Sequence, residues 1–363
     1  MRTRWPDAID GLGWEQGAEP GYLRSLLGDW ADFDWRAREA ELNRLAHYRA
    51  RVGDLGVHFV HERAAGRSDA IPIVLTHGWP STFLEMLPLV PLLTDPAAHA
   101  IDGPAFDVVI PSLPGYGFSD RPRRPGMTTQ TIAGLWHQLM RGLGYSRYAA
   151  GGADFGAGVA TFMALDDPRP IVGLHLTFLE EEPVTGPEAR PLSPAERAYL
   201  DHFAAWADGE AGYRELQGTK PQTAGYGLND SPAGLAAWIV EKWRSWGDTG
   251  GDVNGRFGRE LLLSTLTLYW ATETIASSMR LYWEQRRHAP RRTVDDRVHV
   301  PTAFARFANE FVPEGAPPRE YVERLYDVRR FTAMPRGGHF AALEEPELLA
   351  RDIAAFFGSL DAA

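Results

Sequence analysis

The 363-residue sequence contains no cysteine. Disulfides, thiolate metal sites and a cysteine nucleophile are therefore excluded. Lysine is almost absent too: Lys220 and Lys242 are the only two among 37 basic residues. Together with abundant Ala, Arg, Gly and Pro, that bias points to a GC-rich bacterial genome. Positive charge is short overall, with a formal net charge of −11. Nucleic acid is thereby excluded as a partner, because phosphate-backbone binding rests on clustered Lys and Arg. The two basic clusters, "RPRRP" (121–125) and "RRHAPRR" (286–292), are broken by proline and read as solvated loops. No apolar run follows the opening "MRTRWPDAID", so neither signal peptide nor membrane anchor is expected and the implied location is cytoplasmic. Residues 261–279 have the length of a membrane span but carry Glu273 and seven Ser or Thr, which suits a buried helix better. No internal repeat or low-complexity tract is present, which excludes solenoids and propellers.

What is present is the composition of a soluble globular protein, 44% hydrophobic and 23% charged. Helical spacing of Trp35, Leu42, Leu45 and Tyr48 predicts one helix over residues 35–52, within a leading arm or small domain of residues 1–58. The period then becomes strand-like in "GVHFVHER", "IPIVLT" and "FDVVIP". A helix follows in "TTQTIAGLWHQLMRGLG", then a short strand in "RYAAGG". Strand, loop, helix and strand in this rhythm predict an α/β fold with a mostly parallel, doubly wound sheet. The rhythm breaks near residue 180, where "LEEEPVTGPEARPLSP" reads as a linker. It resumes with "DRVHVPTAFARF" and "DVRRFTAM". Between them lies a helical segment holding six of the twelve tryptophans. The expected division is core at 59–180, an inserted helical cap at 181–290, and core again at 291–363.

Four constellations carry chemistry. In Gly152-Ala153-Asp154-Phe155-Gly156 the small neighbours suit a sharp strand-to-helix turn of the G-x-S-x-G type, with Asp where serine would stand. A Gly-flanked Asp is equally a turn residue or helix N-cap. His77-Gly78-Trp79-Pro80 follows an apolar strand where one oxyanion-hole amide is expected; the amides would be those of Trp79 and Phe155. Such a sequence is also a common strand-end turn. Gly337-Gly338-His339-Phe340 places His339 on a Gly-rich loop before the last helix, and Glu310 follows a strand's C-terminal end, where open α/β sheets keep their ligands. A structural histidine and an exposed glutamate are the plainer readings of each alone. Asp295 and Asp296 precede that strand and Asp327 opens the next, so all three fall at the wrong end. His58 and His61 lie an odd number apart on one strand, face opposite sides, and form no metal pair. The order Asp154, Glu310, His339 is the nucleophile–acid–histidine order of the α/β-hydrolase fold.

With "HGWP", "SLPGYGFSD", "GGADFGAGVA", "LNDSPAGLAAWIVEKW" and "RGGHFAALEEPELLARDI", the chain resembles the microsomal-type epoxide hydrolases of the α/β-hydrolase superfamily over nearly its whole length. The segment "DWADFDWRAREAELNRLAHYRARVGDLGVHFVHER" resembles that family's N-terminal domain. The resemblance implies Asp154 as nucleophile, Glu310 as acid, His339 as base, and Tyr213 and Tyr282 as the two cap tyrosines. It selects them over Tyr199, Tyr226 and Tyr269. It also implies a small-molecule epoxide substrate, with no metal or cofactor.

A carboxylate has a clear rationale there. Serine attacking a saturated carbon would leave a stable ether, whereas aspartate leaves a hydrolysable ester. The aromatic cap suggests a bulky apolar or aromatic epoxide, contacted by Trp79 and Phe155. Biosynthetic and detoxifying roles are both open, and the sequence is compatible with a homo-oligomer. Two rivals remain: a dehalogenase, which uses the same Asp nucleophile but needs halide donors and often has Trp where Phe155 stands, and a catalytically retired ligand sensor. Finally, a single helix over 260–287 would set Tyr269 and Tyr282 on different sides, so that only one could face the elbow.

Overall fold

The structure, a computed structural model, describes residues 4–311 and 316–360. Its strands are β1 (His47–Val52), β2 (Leu55–Glu62), β3 (Ile71–Thr76), β4 (Phe106–Pro111), β5 (Tyr148–Gly152), β6 (Ile171–Leu176), β7 (Val298–Arg306) and β8 (Tyr326–Ala333). Helices α1 (Pro20–Ala31) and α2 (Trp35–Leu42) lead the chain. Within the sheet region follow α3 (Leu89–Thr94), α4 (Thr129–Gly142) and α5 (Phe155–Asp166). Seven consecutive helices come between β6 and β7: α6 (Pro194–Glu210), α7 (Gly212–Thr219), α8 (Pro221–Leu228), α9 (Pro232–Trp246), α10 (Val253–Phe257), α11 (Arg259–Thr272) and α12 (Ile275–His288). The chain closes with α13 (Arg319–Val322), α14 (Ala341–Glu344) and α15 (Pro346–Leu360).

The eight strands form one sheet in the order β1-β2-β4-β3-β5-β6-β7-β8. The β1–β2 and β2–β4 pairs are antiparallel and every other pair is parallel. This is the α/β-hydrolase fold. The central strands are apolar on both faces because both are covered. On one side Ile132, Trp136 and Met140 of α4 pack with α5; on the other, Leu89 and Leu93 of α3 meet Ile353 and Phe357 of α15.

Helices α6 to α12 pack against the loops that leave the C-terminal ends of β3, β5 and β8. Capping chemistry sets where this layer starts: Ser193 and Glu196 form a reciprocal capping box at α6. Glu196 also binds Arg324 at 2.6 Å and Arg190 at 2.8 Å, tying α6 to the segment before β8. The leading helices clasp the same layer from outside. Tyr22 donates to Asn254 at 2.8 Å and Trp30 to Thr267 at 2.9 Å. No helix of the described residues is long and apolar enough to cross a membrane.

Three local expectations are corrected. The helix expected over 35–52 stops at Leu42, and residues 47–52 are instead the edge strand β1. Gly53, at φ 57°, and Asp54 make a two-residue turn that pairs Val52 with Leu55, and hairpin pairing overrides the helical spacing. The single helix over 260–287 is two helices. Glu273 is left-handed at φ 53°, and the Thr272 hydroxyl donates to the Leu268 carbonyl and bonds the Thr274 hydroxyl, closing α11 without a glycine. The cluster at 286–292 is exposed over most of its length but is not all loop: Arg286, Arg287 and His288 close α12, and Arg292 is mostly buried and pairs with Glu181 at 3.2 Å.

Candidate active site

The turn between β5 and α5 is held by absences. A Cβ on Gly156 would lie 1.9 Å from the Thr76 carbonyl oxygen, and one on Gly152 would lie 2.5 Å from the Gly156 carbonyl carbon. Only glycine fits where helix and sheet come this close. Asp154 between them sits at φ 50°, ψ −131°, a strained conformation for a non-glycine residue. Its side chain does not cap α5. Instead Oδ1 accepts a 2.8 Å hydrogen bond from the Trp79 amide. That contact explains Gly78, whose Cβ would fall 2.3 Å from the Asp154 Cβ. Phe155 opens α5, so its amide is one of the first-turn donors that a helix leaves unpaired.

His339 arrives from the loop after β8. Gly337 is at φ 95°, and a Cβ on Gly338 would meet the Asp248 amide nitrogen at 2.6 Å and the Trp246 carbonyl at 2.7 Å. The Gly-Gly pair therefore lets the histidine loop slide under the C-terminal end of α9. Its backbone is pinned there, with His339 N donating to Trp246 O at 3.0 Å. Nδ1 faces Glu310 Oε1 at 2.7 Å and Nε2 faces Asp154 Oδ2 at 3.6 Å. Burial alone would push the imidazolium down. The charge of Glu310, the pull of Asp154 and the hydrogen bond to Glu310 outweigh it, and the His339 pKa is raised well above 6.5.

Tyr213 of α7 and Tyr282 of α12 come from across the layer. Their rings meet edge to face at 5.8 Å. Tyr213 stacks on Trp79 at 5.4 Å, and Tyr282 packs against Phe155 at 4.7 Å. Burial pushes both phenols well above their ordinary value and the Asp154 charge adds to it, so both stay protonated and can donate. With Asp154 and Phe155 they line a cavity of about 490 Å³, walled by Phe178, Trp206 and Phe311. The other tyrosines point elsewhere. Tyr269 donates to Ser81 O at 2.8 Å, Tyr199 to Glu182 at 3.1 Å, and Tyr226 is 73% exposed.

The structure thus brings Asp154, Glu310, His339, Tyr213, Tyr282 and the amides of Trp79 and Phe155 to one place. It departs from expectation at the Trp79 indole, which is fully buried behind Tyr213 and does not line the cavity. Three glutamates escaped the sequence reading. Glu344 is a hub, accepting from Asp248 N at 2.7 Å, Phe340 N at 2.9 Å and Gly338 N at 3.0 Å, so it fixes the histidine loop against the helical layer. Its signal was the acidic pair just before the final helix. Glu85 lies buried in the apolar "FLEML" and is pushed up to about 7 by burial. Glu180, in the presumed linker, lines the cavity.

Comparison with known proteins agrees with this fold. The family described as epoxide hydrolase N terminus matches residues 1–86, and the alpha/beta hydrolase fold family matches 71–221. A Stigmatella aurantiaca protein that carries an epoxide hydrolase name is 42% identical over 99% of this chain and 81% of its own length. Epoxide hydrolase 1 of Sus scrofa is 35% identical over 95% of this chain and 81% of its own. Among solved structures, the juvenile hormone epoxide hydrolase of the silkworm Bombyx mori superposes with a TM-score of 0.87 at 30% identity, covering 99% of this chain and 90% of that one.

Proposed function

The chain belongs to the epoxide hydrolases, and on that premise we propose that it converts an apolar or aromatic epoxide to a vicinal diol through an ester on Asp154. One observation carries the reading: Asp154 has one oxygen held by the Trp79 amide and the other toward His339, beneath two protonated tyrosines. The free oxygen, Oδ2, attacks a ring carbon from the back. The carbon–oxygen bond breaks and its electron pair goes to the ring oxygen, which takes a proton from Tyr213 or Tyr282. His339, oriented by Glu310, then removes a proton from water, and the resulting hydroxide adds to the Asp154 carbonyl carbon. The Trp79 and Phe155 amides hold the oxyanion that develops on Oδ1. Collapse breaks the bond between that carbon and Oδ2, the imidazolium protonates the departing diol, and the proton left on Asp154 restores the tyrosine.

The aromatic wall of Phe155, Phe178, Phe203, Trp206 and Phe311 favours a bulky apolar substituent on the oxirane. A dehalogenase would need halide donors facing the nucleophile. Among the described residues the buried indole N–H groups of Trp79 and Trp246 have no partners, but neither lines the cavity. The test is diol formation by the purified protein from a panel of aryl and alkyl oxiranes, styrene oxide included. Diol production from at least one member is expected. No diol from any member, or tight binding of an epoxide without turnover, would overturn the reading.

A further inference from the structure

The cavity is not uniformly apolar, and its acids are not alike. Glu181 is paired with Arg292 at 3.2 Å, and Glu215 with Arg286 at 2.6 Å. Glu182 accepts from the Tyr199 hydroxyl at 3.1 Å and from the Tyr321 hydroxyl at 2.7 Å. Glu180 alone of these four has no hydrogen bond or ion pair among the described residues. It is pressed against α5, four residues beyond Asp154, where a Cβ on Gly158 would lie 3.0 Å from its Cγ. Burial, then the negative charges of Asp154, Glu181 and Glu182, raise its pKa well above 4.5. Glu180 is partly exposed and lines the cavity, so its carboxyl is free to meet a ligand there. With Asp154 nearby, the best partner is positively charged. The aromatic wall of the same cavity accommodates a cation: the Arg214 guanidinium, whose charge also acts on Glu180, lies 5.9 Å over the Trp206 ring, and Phe178 and Phe311 continue that surface.

We propose that Glu180 is a specificity residue that receives a protonated amine carried by the epoxide a few atoms from the ring. The proposal rests on the epoxide hydrolase reading above. The ammonium pairs with the Glu180 carboxylate inside the cavity while Asp154 meets the oxirane. A neutral epoxide of the same shape leaves Glu180 unsatisfied.

A matched pair of probes tests this, N-benzyl-N-methylglycidylamine and benzyl glycidyl ether, assayed for diol at a pH where the amine is protonated. Wild type should show a kcat/KM for the amine about tenfold or more above that for the ether, the scale of one charged hydrogen bond. In Glu180→Gln that ratio should fall to near one, chiefly through KM. Because the ratio is internal to each protein, partial misfolding cancels from it. A wild-type ratio near one, or an undiminished ratio in the variant, overturns the proposal. So does a preference for a hydroxymethyl-bearing ether over the amine, which would make Glu180 a receptor for a neutral donor. If wild type hydrolyses neither probe nor styrene oxide, the epoxide hydrolase reading itself fails; hydrolysis of both probes at equal rates removes only the amine.

Discussion

The Trp79 amide donates to Asp154 Oδ1 at 2.8 Å, so in the resting protein an expected oxyanion-hole donor already holds the proposed nucleophile. This makes the two carboxylate oxygens inequivalent. Oδ1 is placed to remain the carbonyl oxygen of an ester and to become the oxyanion, while Oδ2 is left to attack. The oxygen entering the diol should then come from Asp154. In a single turnover of wild type in heavy-oxygen water, the first diol released should carry no label, and the label should appear in the peptide containing Asp154. Label in that first diol would mean that water attacks the epoxide directly.

In the proposed reaction His339 supplies the second step, and its titration should depend on the first. The Asp154 charge helps to raise the His339 pKa, and forming an ester removes that charge. The imidazole then releases its proton more readily and becomes the base when water must be activated. In Asp154→Asn the His339 titration followed by NMR should move to lower pH than in wild type. The charged pair should stabilise the wild-type fold fully below about pH 6.5, the unfolded value, and progressively less as pH rises through the elevated folded value. His339→Gln should accumulate protein heavier by one substrate mass, because ring opening needs no base and ester hydrolysis does. An unmodified His339→Gln protein that still binds epoxide would remove the covalent step.

Tyr213 and Tyr282 meet over the cavity on different helices, so their roles are separable by mutation. Replacing either with phenylalanine keeps the ring packing on Trp79 and Phe155 and removes one donor. Each single change should lower kcat by about 10² to 10⁴, the range for a positioned acid, and less if the partner covers for it. The double variant should lose nearly all turnover with its thermal midpoint close to that of wild type. A double variant with wild-type kcat would assign ring-opening acid catalysis to another group.

How much of this was legible in the sequence depended on whether a signal was local. The elbow, the HGWP turn and the Gly-Gly-His loop are written in glycines that only close backbone approach explains, and their order along the chain matches the fold. The β1 edge strand was not legible, because Trp35, Leu42, Leu45 and Tyr48 keep helical spacing across a hairpin whose turn residues, Gly53 and Asp54, come afterwards. The break at Glu273 had no glycine or proline to announce it. The acids of "LEEEP" looked like solvated linker because burial of a polar run depends on distant partners: Arg292, Tyr199 and Tyr321 for two of them, and the cavity for Glu180.

The glycines of the elbow give the sharpest stability contrast. A methyl group on Gly156 would meet the Thr76 carbonyl oxygen at 1.9 Å, and that oxygen belongs to the backbone of β3 at the centre of the sheet. Neither side can yield without moving Asp154 off the Trp79 amide. The nearest obstacle to a methyl group on Gly158, two residues later, is the Glu180 Cγ at 3.0 Å, part of a side chain that can rotate away. Alanine there also gains roughly 0.5–1 kcal/mol of helix propensity over glycine. Gly156→Ala should therefore lose about 3 kcal/mol or more of unfolding free energy, the upper range for overpacking, and with it all turnover. Gly158→Ala should change stability by less than about 1 kcal/mol, as its propensity gain offsets the displacement of Glu180. Urea unfolding of both variants beside wild type measures the difference, and equal losses would show that the helix, not the strand-to-helix contact, sets the geometry around Asp154.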